Sequence, residues 1–422
     1  MNAPPPATTS SVTVFHDCIL IDGTGAAPVS PAVVVVADGR IRSAGPAPDG
    51  FDPAATYPGA ELVALGGHTM CPGFFDCHVH LGLPGTGGPP LDTALRPSSY
   101  LHFQLIERLR VTLHAGVTSA RDLMGVDAGV RAAIADGPIA GPRLQVAIDM
   151  LSQTCGHADF ALPSGLDPTP LLGGSIVDTV DAARTRVRHL VRAGADVIKV
   201  ATSGGISSPN DDPDWLGLRR EAVAAVVEEA RNLGGRPVAA HAIGRAGIEA
   251  AVAAGVHSIE HGYALDDELR HRMVEGHVFL VPTLLETVRP VTASPQGARK
   301  SAIWHRLAQE SVRASVAAGV PIAVGTDAGL GPAHGTNLRE LALLVEYGGM
   351  TPMQAIVAGT RTSAQLCGVE DDLGTLEEGK WADLIVVRGD PLRDVSLLGD
   401  PENVLLVVKG GETAVDRAGL RR

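Results

Sequence analysis

His78 and His80 stand two residues apart at the end of an apolar run, Cys71-Pro72-Gly73-Phe74-Phe75-Asp76-Cys77-His78-Val79-His80. Such a run reads as a buried strand, and side chains two apart on a strand point the same way, so both imidazoles can grip one ion. Taken alone, such a pair is more often an ordinary polar strand end than a ligand pair. Partners elsewhere decide between the two readings. Lys199 lies late in Asp196-Val197-Ile198-Lys199-Val200, while His241, His261 and Asp327 each close another short apolar run. Imidazole and carboxylate suit zinc and similar divalent ions, and a catalytic site keeps one position open for water. Four imidazoles, one carboxylate and one lysine converging in a packed interior would be costly unless something satisfied them, and a metal centre does. An ammonium beside cations is repelled, so Lys199 is expected as a neutral amine, able to add carbon dioxide and bridge two metals as a carbamate. The competing reading is a core lysine that snorkels outward or pairs with a carboxylate.

These residues meet only if their strands run parallel. A helical segment ending in Ala-Gly passes at once into an apolar strand at Ala115-Gly116-Val117, Ala193-Gly194-Ala195, Ala254-Gly255-Val256 and Ala318-Gly319-Val320. Glycine just past a helix takes the left-handed conformation that ends it, and repeated helix-to-strand junctions imply parallel strands with helical crossovers. Strands are expected over 73–80, 117–122, 144–149, 196–201, 237–241, 256–261, 278–283 and 321–327. Helices between and after them include 179–192, 219–233, 299–317 and 351–366. Eight units of this kind predict an α/β fold, a (β/α)8 TIM barrel over 71–368, whose C-terminal mouth gathers the strand ends. An open doubly wound sheet competes, but no glycine-rich phosphate loop follows the first strand. Residues 11–70 and 369–422 are rich in β-branched runs broken by turns such as Asp38-Gly39 and Gly410-Gly411. Both ends are expected to pair into one small β-sandwich, with residues 1–10 a flexible tail.

The 422 residues carry 34 Lys and Arg against 47 Asp and Glu, a net charge of −13, without a basic cluster that could track a phosphate backbone. Nucleic acid is not an expected partner; a small-molecule substrate is. No apolar stretch is long enough to span a bilayer and the start has no leader pattern, so a cytoplasmic, membrane-free protein is expected. The five cysteines form no Cys-x-x-Cys pair, which points away from disulfides and thiolate zinc sites. A hydrophobic fraction of 45% provides for a large core despite 50 Gly and 30 Pro.

Phe75-Asp76-Cys77-His78-Val79-His80, Lys199 with Ser203-Gly204-Gly205, Ala240-His241-Ala242, Ile259-Glu260-His261-Gly262 and Gly325-Thr326-Asp327-Ala328-Gly329 together resemble the metal-dependent amidohydrolase superfamily. The stretches 205–213 and 334–341 resemble its branch of Xaa-Pro and Xaa-Arg dipeptidases, ochratoxin-type amidases and imidazolonepropionase-like proteins. The resemblance covers nearly the whole chain. It implies that His78, His80 and Asp327 bind the more buried of two divalent ions, zinc in this class, and His241 and His261 the more exposed one. Carboxylated Lys199 would bridge them. It also implies a substrate-touching histidine at the end of the third strand, matched by His157, and relatives commonly have Gly at the position of Cys155. Tyr263, just beyond His261, is a second substrate-binding candidate.

Hydroxide bridging two cations would be the nucleophile, and Asp327 would take its proton and pass it to the departing nitrogen. This favours hydrolysis of amide-type C–N bonds in a dipeptide, N-acyl amino acid, carbamate or urea. The alternatives are a hydrolase or deaminase of a ring C–N bond, to which Lys199 is poorly suited, and a noncatalytic barrel relative. Cys77 is expected to point away from the metal face. The histidines 102, 114, 189, 271, 277 and 305 are expected mostly within helices, and a homo-oligomer is expected from the resemblance.

Overall fold

The computed structural model describes residues 12–85, 90–208, 211–288 and 295–421. The tail expected over 1–10 and two residues of the 205–213 motif, Pro209 and Asn210, lie outside them.

Strands β1 (Val12–Leu20), β2 (Val29–Ala37) and β3 (Arg40–Pro46) form an antiparallel meander, beside which β4 (Glu61–Ala64) and β5 (Thr69–Pro72) both run parallel to β1. The C-terminal strands β15 (Leu384–Val387), β16 (Val404–Lys409) and β17 (Glu412–Asp416) join the same sheet because β15 pairs with β5. The order β17-β16-β15-β5-β1-β2-β3 thus unites both chain ends. Their valine-rich inner faces bury Val34, Val36, Leu384, Val386, Leu406 and Val408 together. Between β5 and the first barrel strand the chain turns at Gly73, where a Cβ would lie 2.2 Å from the Thr118 hydroxyl, so only glycine fits.

The barrel is built from β6 (Phe74–Val79), β7 (Val117–Asp122) and β8 (Arg143–Val146) on one side. Strands β9 (Met150–Ser152), β10 (Gly174–Ile176), β11 (Ile198–Ala201), β12 (Val238–Ala242), β13 (Ser258–His261) and β14 (Phe279–Val281) form the other. All of these pairings are parallel. Two strand expectations are corrected here. The third strand, expected over 144–149, breaks into β8 and β9 around Ile148, whose φ of 71° ends the extended run. The eighth, expected over 321–327, is not a regular strand, although its position is filled. Isolated bridges Leu280↔Ile322 and Val79↔Ala328 and the bond from Cys77 N–H to the Val324 carbonyl at 2.7 Å close the ring there. Gly325 interrupts the ladder: a Cβ at that position would lie 2.4 Å from Val281 and 3.0 Å from the His78 backbone nitrogen. His277 also departs from expectation, lying beyond the helix Asp267–Glu275 with φ 51°.

The helices 179–192 and 219–233 are observed as Val180–Arg192 and Arg220–Asn232, each turning its apolar face to the strands. The helix expected over 299–317 starts earlier, at Pro295. Among the described residues no helix is long and apolar enough to cross a membrane.

Candidate metal centre

Every strand end singled out in the sequence opens on one barrel mouth. His78 ends β6 with His80 just beyond it, Lys199 lies in β11, His241 in β12, His261 at the end of β13, and Asp327 in the closing segment. All six are at most 7% exposed. His261 and Asp327 hold left-handed φ values of 72° and 60°. Strain of this kind at two residues of one cluster persists only where the surroundings over-determine it, as at functional sites.

Ligand atoms of His78, His80 and Asp327 lie within 4.8 Å of one another. Asp327 Oδ1 is 3.1 Å from His80 Nε2 and 3.5 Å from His78 Nε2, yet it forms no hydrogen bond of good geometry. Lone pairs facing a common point, rather than each other, produce that pattern. The outer nitrogens show why. His78 Nδ1–H donates to Glu260 Oε2 at 2.9 Å and His80 Nδ1–H to the Met124 carbonyl at 3.3 Å, which leaves each Nε2 free. His261 Nδ1–H donates to Thr283 Oγ1 at 2.8 Å, because that hydroxyl itself donates to the Pro282 carbonyl. His241 is turned the other way: Nε2–H donates to the Gly204 carbonyl at 3.1 Å, so Nδ1 is its free atom. These tautomers follow from the acceptors each ring faces.

The rings form a continuous cluster, with centroids 5.3 Å apart for His78 and His80, 5.1 Å for His78 and His261, and 4.7 Å for His241 and His261. Burial holds His78 and His241 well below the ordinary imidazole range and brings His261 down to about 3, keeping all three neutral and able to ligate. For Asp327, burial works upward, but His78, His80 and His261 hold the carboxyl well below the usual carboxylate range. Lys199 is 1% exposed and its Nζ has no hydrogen-bond partner. Burial pulls its ammonium down to about 8, against the pull of Glu260 and Asp327. A buried nitrogen without a partner, felt electrostatically by His78, His241, His261 and Asp327, fits a bridging position between two cations.

The structure adds residues to which the sequence reading gave no part. Glu260, fully buried, accepts from Arg121 NH2 at 2.8 Å and Ser258 Oγ at 2.5 Å besides His78. A charged residue inside the buried run Ser258-Ile259-Glu260-His261 was the available signal, since burial there requires a partner. Arg121→Met leaves Glu260 without its cation. We expect a loss of about 3–5 kcal/mol of stability and roughly 10–100-fold weaker metal binding, read by thermal melts and by metal titration. Asp76, raised to about 6 by burial, accepts from Thr326 Oγ1 at 2.6 Å and Asn337 Nδ2 at 2.7 Å, and so ties β6 to the turn that carries Asp327.

His157 does not end a strand; it sits in the loop after β9. Its ring nevertheless stacks on His241 at 3.9 Å and 17°. Its other face lies on Gly205, where a Cβ would be 2.1 Å from the imidazole. His157 Nδ1–H donates to Ser208 Oγ at 3.0 Å, and that hydroxyl donates to Asp211 Oδ1 at 2.5 Å. Lys300 Nζ fastens this loop by donating to the carbonyls of Gly205, Ser208 and Asp211. Tyr263, 2% exposed, packs edge-on to His261 at 5.6 Å with its hydroxyl 3.2 Å from Thr283 Oγ1. Cys77 points away from the cluster, its sulfur 3.9 Å from that of Cys367. Cys155 is exposed and left-handed, with φ 61°.

A parallel barrel with this cluster at its mouth and a terminal sheet beside it defines an amidohydrolase, and residues 69–414 match the Amidohydrolase family. The chain belongs to that family and is a hydrolase acting on C–N bonds. It is 34% identical over 432 residues to ochratoxinase of Aspergillus niger, covering 96% of this chain and 86% of that one. The crystal structure of A. niger ochratoxinase is similar with a TM-score of 0.86 at 31% identity, covering 97% of this chain and 96% of that chain. A Xaa-Pro dipeptidase with methionine bound in its active site is similar with a TM-score of 0.85 at 31% identity, covering 96% and 99%. Imidazolonepropionase of Aeromonas hydrophila subsp. hydrophila is 26% identical over 419 residues, covering 91% and 92%.

Proposed function

We propose that the protein is a binuclear metal-dependent hydrolase of an exocyclic amide-type C–N bond, with a small N-acyl amino acid or dipeptide as its substrate class. One observation carries the reading: the buried, partnerless Nζ of Lys199, in a cluster with the free nitrogens of His78, His80, His241 and His261 and the Asp327 carboxylate. In it, His78, His80 and Asp327 would hold one ion, His241 and His261 through their free ring nitrogens a second, and a carboxylated Lys199 would serve both. Zinc suits this donor set. Ions held there supply a nucleophile at neutral pH and polarise the scissile carbonyl.

The chain's own groups do the rest. Asp327, kept ionised, takes the proton of the attacking water and delivers it to the leaving nitrogen, which is the demanding step of amide cleavage. His157, its Nδ1–H committed to Ser208, turns Nε2 to the substrate. Tyr263 reaches the substrate only by exchanging Thr283 for it. The names of the relatives, an ochratoxinase and a Xaa-Pro dipeptidase, support amide cleavage next to an amino acid. Five cysteines without a Cys-x-x-Cys pair suit a reducing cytoplasm, and assembly as a homo-oligomer belongs to the same reading.

The test is an assay of zinc-loaded protein against N-acyl amino acids, dipeptides, aryl carbamates and aryl ureas with detection of the released amine. Release of an amino acid from the first two groups is expected; opening of cyclic amides alone would transfer the protein to the imidazolonepropionase type. A pH dependence follows from Lys199. Only its neutral amine adds carbon dioxide, losing a proton to become the carbamate, and with burial placing the ammonium at about 8, that fraction grows as pH rises through 8. Metal-free protein given zinc at one fixed concentration of dissolved carbon dioxide should regain activity faster at pH 9 than at pH 7. Equal rates would remove the carbamate.

A further inference from the structure

The loop after β11 carries a buried carboxylate to which the hydrolytic reading gives no part. Asp211 is 3% exposed. Its Oδ1 accepts from the Gly205 N–H at 3.1 Å and from Ser208 Oγ at 2.5 Å. Its Oδ2 is buried, has no hydrogen-bond partner among the described residues, and lies 3.6 Å from His157 Nδ1. Lys300 Nζ stands 3.8 Å from Oδ1, held there by its bonds to the carbonyls of Gly205, Ser208 and Asp211. Burial works against the charge of Asp211, but His157, the Ser208 hydroxyl and the Gly205 N–H hold its carboxyl below the usual carboxylate range. A buried carboxylate oxygen without a donor is costly, and the side chain this one faces is His157.

Counting donors assigns the hydrogens of the group. An ionised carboxylate only accepts, so the single hydroxyl hydrogen of Ser208 goes to Asp211, and Ser208 Oγ in turn accepts from His157 Nδ1–H at 3.0 Å. The proton of the neutral ring is thereby committed to the edge that faces Asp211, and Nε2 is left with its lone pair. The ring itself is fixed in place. It stacks on His241 at 3.9 Å, and a Cβ on Gly205 would lie 2.1 Å from it. The same loop holds the neighbouring ring, since His241 Nε2–H donates to the Gly204 carbonyl. One carboxylate thus sets the hydrogen of an imidazole in direct contact with the metal cluster.

We propose that Asp211 is the positioning residue of His157: directly and through Ser208 it keeps the ring proton on Nδ1, so that Nε2 meets the substrate as an acceptor and takes an N–H or O–H from it. The proposal rests on the hydrolase reading for the substrate contact alone, because the tautomer belongs to the chain. A carboxylate suits the task since it has no hydrogen to give, and each group around it is made to donate.

The test reads the tautomer by long-range proton–nitrogen correlation NMR on zinc-loaded protein with isotope-labelled histidine at neutral pH, with His157→Gln identifying the resonances. The wild type should carry its His157 proton on Nδ1 alone. Asp211→Asn keeps an oxygen for Gly205 and Ser208 but turns an N–H toward Nδ1, so the proton should move to Nε2. On a substrate that the wild type cleaves, kcat/KM should fall by about 10–100-fold, the effect of one lost hydrogen bond to a substrate. Ser208→Ala should be milder in both readings, because Oδ2 can accept Nδ1–H directly. A proton on Nε2 in the wild type overturns the proposal. So does an unchanged tautomer or unchanged kcat/KM in Asp211→Asn, or a Ser208→Ala variant that is the more damaged of the two. If Asp211→Asn does not fold, the wild-type tautomer and Ser208→Ala still decide. The tautomer is read whether or not amides are cleaved, so failure of the hydrolase reading is distinguishable from failure here.

Discussion

Asp327→Asn is expected to lower kcat by about 10³-fold on the best amide substrate, within the range for removing a positioned proton carrier. The expectation comes from where the carboxylate sits. Its Oδ1 faces the Nε2 atoms of His78 and His80, it is pinned by the bond from its own N–H to the His78 carbonyl at 2.8 Å, and its neighbours keep it ionised. Asparagine preserves the shape, the left-handed backbone and one oxygen able to ligate, but it cannot accept a proton. KM should therefore change little and thermal melts should overlay. Steady-state kinetics on a homogeneous preparation of known metal content checks this, and turnover within tenfold of the wild type would take the proton transfer away from Asp327.

Lys199→Ala should be as damaging, with turnover down on the order of 10³-fold or more, equivalent to roughly 4 kcal/mol of transition-state stabilisation. Here the reason is electrostatic. On the proposed reading the alanine variant would lose the one anion able to reach both halves of the cluster, so two cations would be held close together by neutral imidazoles with Asp327 alone to balance them. The space vacated by the side chain also makes the variant open to rescue: a small carboxylate such as acetate or propionate can occupy it and supply the missing oxygens. Partial recovery of rate with added carboxylate, saturable and absent in the wild type, is the predicted behaviour. Recovery without any added anion, or full activity in the variant, would show that Lys199 has no part in the centre.

Much of this was readable in the sequence because parallel barrels place function at strand ends. A histidine, lysine or aspartate closing a short apolar run is conspicuous, and the structure brings His78, His80, Lys199, His241, His261 and Asp327 to one mouth. The Ala-Gly junctions marked the helix ends well. What escaped was whatever depends on contact between distant segments. Arg121 and Glu260 are 139 positions apart, and although a charge in an apolar run signals a partner, neither stretch says which residue that partner is. Lys300 reads as one polar position in an amphipathic helix, yet it holds carbonyls 89 to 95 positions away. The eighth strand was misjudged in regularity because apolar alternation over 321–327 cannot reveal how tightly Gly325 packs against Val281 and His78. His157 was found only through resemblance, as a loop histidine has no periodicity to betray it.

The central claim is that this chain holds two metal ions with Lys199 between them. Elemental analysis of purified, zinc-reconstituted and desalted protein tests it most directly, with the wild type and Lys199→Ala measured side by side. The account predicts close to two zinc ions per chain in the wild type and one or fewer in Lys199→Ala at unchanged secondary structure. One ion per chain in both proteins would contradict it.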